Sequence, residues 1–189
     1  HQLGFEHFTF LKLARHIKSS EASVYRYFEN KHKLLLFLAN WYWAWMHYRI
    51  VHQTHLETDA NIRLEKILGL LSKPVMEDDD FEFIDESILH AIIVSEGPKV
   101  YLTKEVDYEN KDGVYLAYKG VTELVAQAIK AINPEFDHPH TLASTIIEAS
   151  HQQLFFSEHL PRLTDIRNQS EIQLNQFLTT ITLNSIQLK

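Results

Sequence analysis

The 189-residue chain contains no cysteine, which excludes disulfides, thiolate metal sites and sulfur nucleophiles. That absence fits a reducing compartment, and a cytoplasmic protein is the expectation. Glycine and proline are scarce at five each, and no glycine-rich phosphate loop is present. No apolar run approaches the roughly 20 residues of a membrane-spanning helix, and His1-Gln2-Leu3-Gly4 has neither the charged nor the apolar block of a signal peptide. No membrane is therefore expected as a partner. The chain opens without methionine, where a helix is expected to be ending, so further residues are expected before His1. What is abundant is apolar and aromatic side chain, 45% and 12%, enough to bury a full core.

Charge is unevenly placed. The whole chain carries −7, yet residues 1–33 hold six cations against three anions, a local +3, and the remainder stands at −10. An acidic body with a small basic end can meet phosphates locally while the larger part repels nonspecific nucleic acid.

Strand-like alternation is scarce and helical spacing is common. The periodicity places helices at Thr9–Ile17, Ser20–Phe28, Lys31–His55, Ala60–Ser72, Phe81–Glu96, Asp112–Ile132, Pro139–His159 and Asp165–Leu188, an all-α fold. The acidic run Glu77-Asp78-Asp79-Asp80 lacks the glycine and spaced ligands of a calcium loop and is expected to be a solvated helix entrance.

The most informative stretch is near the start. Thr9 is placed to cap a helix whose inner face carries Phe10, Leu13, Ala14 and Ile17. After the turn Lys18-Ser19, Ser20 is placed to cap a second helix with Val24 and Phe28 inward and Glu21, Ala22, Ser23, Tyr25, Arg26 and Tyr27 available outward. That is the layout of a helix-turn-helix, whose second helix lies in the major groove. Ala22 and Ser23 are small enough for close approach to bases, and Ser23 can exchange a hydrogen bond with them. Tyr25, Arg26 and Tyr27 have the reach for phosphates, and Lys31 starts the next helix, where backbone N–H groups add to its charge.

The pattern Gly4-Phe5-Glu6, Thr9, Leu13-Ala14-Arg15, Ser20, Val24-Tyr25-Arg26-Tyr27-Phe28, Lys31, Leu34-Leu35 resembles the DNA-binding domain of the TetR family of bacterial transcriptional regulators. The resemblance covers about the first 35 residues. It implies a helix-turn-helix domain over residues 1–38, its first helix largely absent, and a larger antiparallel helical bundle over 39–189 for ligand binding and dimerisation. It implies DNA contacts from Thr9, Ser20, Glu21, Ala22, Ser23, Tyr25, Arg26, Tyr27 and Lys31. Two departures fall in the turn: Lys18 stands where the family usually has glycine, and Ser19 where it often has a buried aliphatic. A left-handed backbone at Lys18 would cost on the order of 1 kcal/mol.

On the helix that follows, Trp41, Trp45, Tyr48, His52 and His55 recur at spacings of four, three, four and three. Such a stripe is either core or the lining of a small-molecule cavity, and Trp41, Trp45, Tyr48 and His52 are the candidate ligand contacts. The resemblance implies that movement of this helix changes the separation of two readers. Leu174, Phe177, Leu178 and Ile181 on the last helix, with Leu142, Ile146 and Phe156 on the one before, are candidates for a homodimer interface; closing a monomer core is the other reading. A twofold dimer would set two recognition helices one DNA turn apart, roughly 34–36 Å, over a near-palindrome.

The functional expectation is a ligand-responsive repressor binding double-stranded DNA as a homodimer under an unknown small-molecule effector, with no cofactor, no metal and no catalytic residue. Two alternatives stand beside it. Glu148-x-x-His151, with Asp85, Glu86 and His90, has residue types of a carboxylate/histidine metal enzyme, although dinuclear bundles use two such pairs. A helical interaction protein without DNA binding is the other.

Overall fold

In the computed structural model, residues 4–73 and 85–187 are described, and among them the chain is helical with no strand. The helices are α1 (Gly4–His7), α2 (Phe10–His16), α3 (Glu21–Tyr27), α4 (Lys31–Thr54), α5 (Ala60–Ser72) and α6 (Glu86–Glu96). They continue with α7 (Pro98–Tyr101), α8 (Val106–Lys111), α9 (Leu116–Ile132), α10 (Pro139–His159) and α11 (Glu171–Gln187). The acidic run Glu77–Asp80, the expected helix start at Phe81 and the expected last helical residue, Leu188, lie outside the described residues, and Asp85, expected inside the helix from Phe81, is instead the extended cap from which α6 opens at Glu86.

The differences from the expected helices have local causes. The helix expected from Asp112 begins at Leu116, because Gly113 takes φ +79° and its N–H bonds back to the Asn110 carbonyl, closing a turn. The helix expected from Asp165 begins at Glu171. Asn168 and Gln169 both sit at φ +51°, a left-handed conformation that no α-helix continues. The short helices α7 and α8 follow the Gly97-Pro98 break, where proline occupies the first helical position.

Two compact units divide the chain. The described residues within His1–Tyr42 and Glu77–Val114 form one, and those within Trp43–Met76 and Tyr115–Lys189 form the other. The first therefore holds α1–α3, the start of α4 and α6–α8, and the second holds the rest of α4, α5 and α9–α11. These packing units are drawn differently from the functional division at residue 38 that the resemblance implies, since residues 86–111 pack with the N-terminal helices.

In the first unit, Phe10, Ala14 and Val24 form a buried apolar cluster, with Phe8, Leu13, Phe28 and Leu34 packed around it. In the second, α5, α9, α10 and α11 pack on one another. Their shared core includes Leu64, Ile67, Leu68, Val121, Val125, Ile129, Ile146, Ile147, Leu174 and Leu178, all buried. Gly120 of α9 permits a close approach to α4: a Cβ there would stand 3.1 Å from the His47 ring.

Candidate nucleic-acid interface

Thr9 has extended backbone and its hydroxyl accepts the Lys12 N–H at 3.2 Å, satisfying one of the donors orphaned at the start of α2. At the other end, the Ser19 N–H bonds to the Ala14 carbonyl at 2.8 Å and the Lys18 N–H to the Arg15 carbonyl at 3.3 Å. This paired closure is a Schellman motif, with Lys18 in its left-handed position at φ +55°. The Lys18 backbone therefore adopts the conformation that glycine takes at lower cost. Ile17, expected on the inner face of α2, instead ends the helix and is 54% exposed, because the turn swings the chain away from the cluster at that residue.

Ser20 then repeats the device used by Thr9. Its backbone is extended and its hydroxyl accepts the Ser23 N–H at 3.1 Å. Val24 is the buried residue of α3, and Phe28 follows in extended backbone, half-buried. The Tyr25 ring meets Phe10 edge-on, with centroids 4.9 Å apart at 71°. Tyr25 is thus oriented from behind by the apolar cluster while more than half exposed. Ala22, Arg26 and Tyr27 are exposed, Tyr27 to 81%, and Glu21 and Ser23 are half-buried. One helix of seven residues presents a carboxylate, two small residues, two phenols and a guanidinium around a single buried valine.

Asn30 starts α4, its side-chain oxygen accepting the Lys33 N–H at 3.0 Å. Lys31 is half-buried, its Nζ donating to the Phe5 carbonyl at 3.2 Å and lying 4.9 Å from the Phe5 ring centre. Lys99 lies 5.3 Å from the same ring centre. It also pairs with Glu6 at 2.6 Å and with Glu96 at 2.9 Å. The hydrogen bond to Lys99 holds the Glu6 carboxyl below its usual range, and bonds to Glu6 and then Glu96 hold Lys99 above its own. Sequence spacing gives no sign of this group, because Phe5 and Glu6 lie 91 and 93 residues from the Glu96 and Lys99 they meet.

Along α4, Trp45 is buried, Trp41 half-buried, and Tyr48 and His52 exposed. Tyr48 stacks on His52 with centroids 5.8 Å apart, and His52 lies 5.9 Å from His55. In the second unit an open recess of about 240 Å³ is bordered by Ile50, Val51, Thr54, His55, Arg63, Ile67, Leu124, Gln127 and Ala128. None of Trp41, Trp45, Tyr48 and His52 borders it. On α10 and α11, Ile146, Leu174 and Leu178 are buried within the single chain, whereas Leu142, Phe156 and Ile181 are half-buried and Phe177 is exposed. Glu148 accepts the Tyr118 hydroxyl at 2.5 Å, while the buried His151 ring lies 5.4 Å from that of Trp43. Asp85 caps α6 through the Ile88 N–H. Among the described residues no three histidine or acidic side chains gather to hold a metal ion.

No family model and no curated protein matches the chain. A solved structure does: AibR in complex with isovaleryl coenzyme A and operator DNA, at a TM-score of 0.62 and 15% sequence identity. The match covers 95% of this chain and 89% of AibR. At that identity the likeness is one of fold, and it places the all-helical architecture of this chain beside that of a protein solved on operator DNA. No helix of the described residues is long and apolar enough to cross a membrane.

Proposed function

We propose that this protein is a DNA-binding transcriptional regulator of the TetR kind, acting as a ligand-responsive repressor that binds a palindromic operator as a homodimer. The observation that carries the reading is the α2–α3 unit: both helices begin with a hydroxyl cap, the turn is closed by a Schellman motif, and the outer face of α3 is free for contact. Ala22 and Ser23 lie in the first turn of α3, where a recognition helix meets base edges. Tyr25, Arg26 and Tyr27 then reach phosphates, and Glu21 accepts from a base amino group such as that of cytosine. Thr9 and Ser20 act through the backbone donors they fix, and Lys31 anchors the start of α4. The sequence resemblance and the likeness of fold to an operator-bound protein support the same reading.

The homodimer is supported by the side chains that α10 and α11 leave uncovered. Phe177 and Ile172 are exposed, and Leu142, Phe156 and Ile181 are half-buried, so these would carry the contact, with Ile146, Leu174 and Leu178 beneath them. The presence of both a coenzyme A ester and operator DNA in the AibR complex supports an effector for this chain, for which Trp41, Trp45, Tyr48 and His52 remain candidate contacts.

Selection of duplexes from a random pool by the purified protein tests the reading. The expected result is an inverted repeat whose half-sites are about one turn apart, bound more weakly by Tyr25→Phe and Lys31→Ala across all sequences and with altered preference by Glu21→Ala or Ser23→Ala. Failure to enrich any duplex sinks the DNA reading, and enrichment of a single half-site by a monomer sinks the dimer.

A further inference from the structure

Glu109 of α8 is 1% exposed, and a carboxylate taken so far from water needs cations or donors to offset its lost hydration. It finds them in the first turn of α4. The Lys33 Nζ donates to Oε1 at 2.8 Å, and the His32 Nε2 stands 3.0 and 3.3 Å from its two oxygens. These residues are 76 and 77 positions from Glu109 and belong to the same compact unit. The start of α4 is also where uncompensated backbone N–H groups favour negative charge, which adds to the attraction. The hydrogen bond to Glu109 raises the Lys33 pKa, so this cation stays charged across the neutral range, and Glu29 and Glu105 act in the same direction.

The position of this tie gives it consequence. His32 and Lys33 directly follow Asn30 and Lys31, the cap and first residue of α4, and Phe28, which closes α3, is only two residues before Asn30. Whatever fixes the first turn of α4 fixes the exit of the proposed recognition helix. We infer that Glu109 is a positioning residue for DNA binding: through Lys33 and His32 it holds the first turn of α4, and with it the C-terminal end of α3, in the register that the operator requires.

The inference rests on the DNA reading, and its test separates the two. The wild-type protein first selects a duplex from a random pool; if it selects none, the DNA reading fails while the tie is still read by hydrogen exchange. Glu109→Gln, Lys33→Gln and the double variant are then measured against the selected duplex over a range of salt, beside amide exchange of residues 28–36. The expected result is about a tenfold loss of affinity in Glu109→Gln with an unchanged salt slope, faster exchange in residues 28–36, and no further loss when Lys33→Gln is added. Unchanged affinity and exchange overturn the inference. A gain in affinity with a steeper salt slope also overturns it, because Glu109 would then be withholding Lys33 from phosphate. If Glu109→Gln does not fold, Lys33→Gln alone decides: faster exchange of the same amides supports the tie, and wild-type exchange removes it.

Discussion

The two compact units both bury apolar side chains but differ in the polar groups they contain. The first buries Phe10, Ala14 and Val24 in one cluster and Leu35, Leu36, Leu89 and Ile93 besides, and charged side chains add long-range connections: Lys99 with Glu6, Lys31 on Phe5, and Lys33 and His32 on Glu109. In the second, four helices bury Leu, Ile and Val against one another, and the buried polar groups are mostly neutral, among them Ser72, Ser150 and Thr182, each donating to a carbonyl of its own helix. The outer face of α3 spends its side chains on solvent and leaves that helix a single buried valine. Its geometry must then come from caps, ring contacts and ion pairs, which are individually weak but directional.

The largest expected effect tests the apolar side of this contrast. Ile146 is fully buried in the second unit, and Ile146→Ala removes a branched side chain from a packed site. We expect a loss of about 2–5 kcal/mol, read as a lower denaturant midpoint with an unchanged slope. A loss below about 1 kcal/mol would mean that the bundle relaxes around the cavity and is no better packed than the first unit.

The next effect concerns His151, which burial pushes down to about 4 from an ordinary value of 6.5. Its neutral form is favoured in the folded state, so as pH falls from about 6.5 towards 4 the unfolded chain takes up a proton that the folded chain refuses. Stability contributed by His151 is therefore full above that window and is lost on acidification through it. Between pH 7.5 and pH 5 this loss is expected to be about 2 kcal/mol in the wild type and absent from His151→Gln. Equal pH slopes in the two proteins would remove the buried imidazole from the account.

Much of this was legible in the sequence. Thr9 and Ser20 are small hydroxyl residues placed one position before an apolar period, and both cap as expected, while Ala60–Ser72 and Pro139–His159 are bounded as the spacing predicts. The illegible parts have physical reasons. In segment 98–111 the helices are only four and six residues long, too short for periodicity to mark α7 and α8, and the contact of Glu109 with Lys33 spans 76 residues. The surroundings of the stripe on α4 are illegible for another reason. Leu35, Ala39, Tyr42, Met46 and Ile50, spaced four, three, four and four, form the buried face of this helix, and the stripe runs along the opposite side, so Tyr48 ends 57% exposed while Trp45, at the stripe's margin, is buried.

A smaller effect tests the directional side of the contrast. Ser20→Ala deletes the acceptor for the Ser23 N–H without touching the apolar cluster. The expected cost is about 1 kcal/mol of stability, and because α3 carries the proposed contact face its amides should exchange faster than those of α10. Equal acceleration in both helices would mean that the two units unfold together.

The smallest effect is a gain. Lys18 holds φ +55° at the C-terminal closure of α2, and its side chain is exposed, so nothing in the packing requires lysine there. Lys18→Gly removes the Cβ that crowds the neighbouring carbonyl, at the expense of a more flexible unfolded chain, and the balance is expected to favour the folded state by about 0.5–1 kcal/mol. Thermal melting should show it as a rise of a few degrees at most. If DNA affinity falls while the melting temperature rises, the Lys18 cation is contributing to phosphate contact, and the α2–α3 pair keeps a strained turn for the charge it carries. If both rise together, the turn limits the proposed recognition helix by its geometry alone, and caps and closures set the α2–α3 pair where packing sets the bundle.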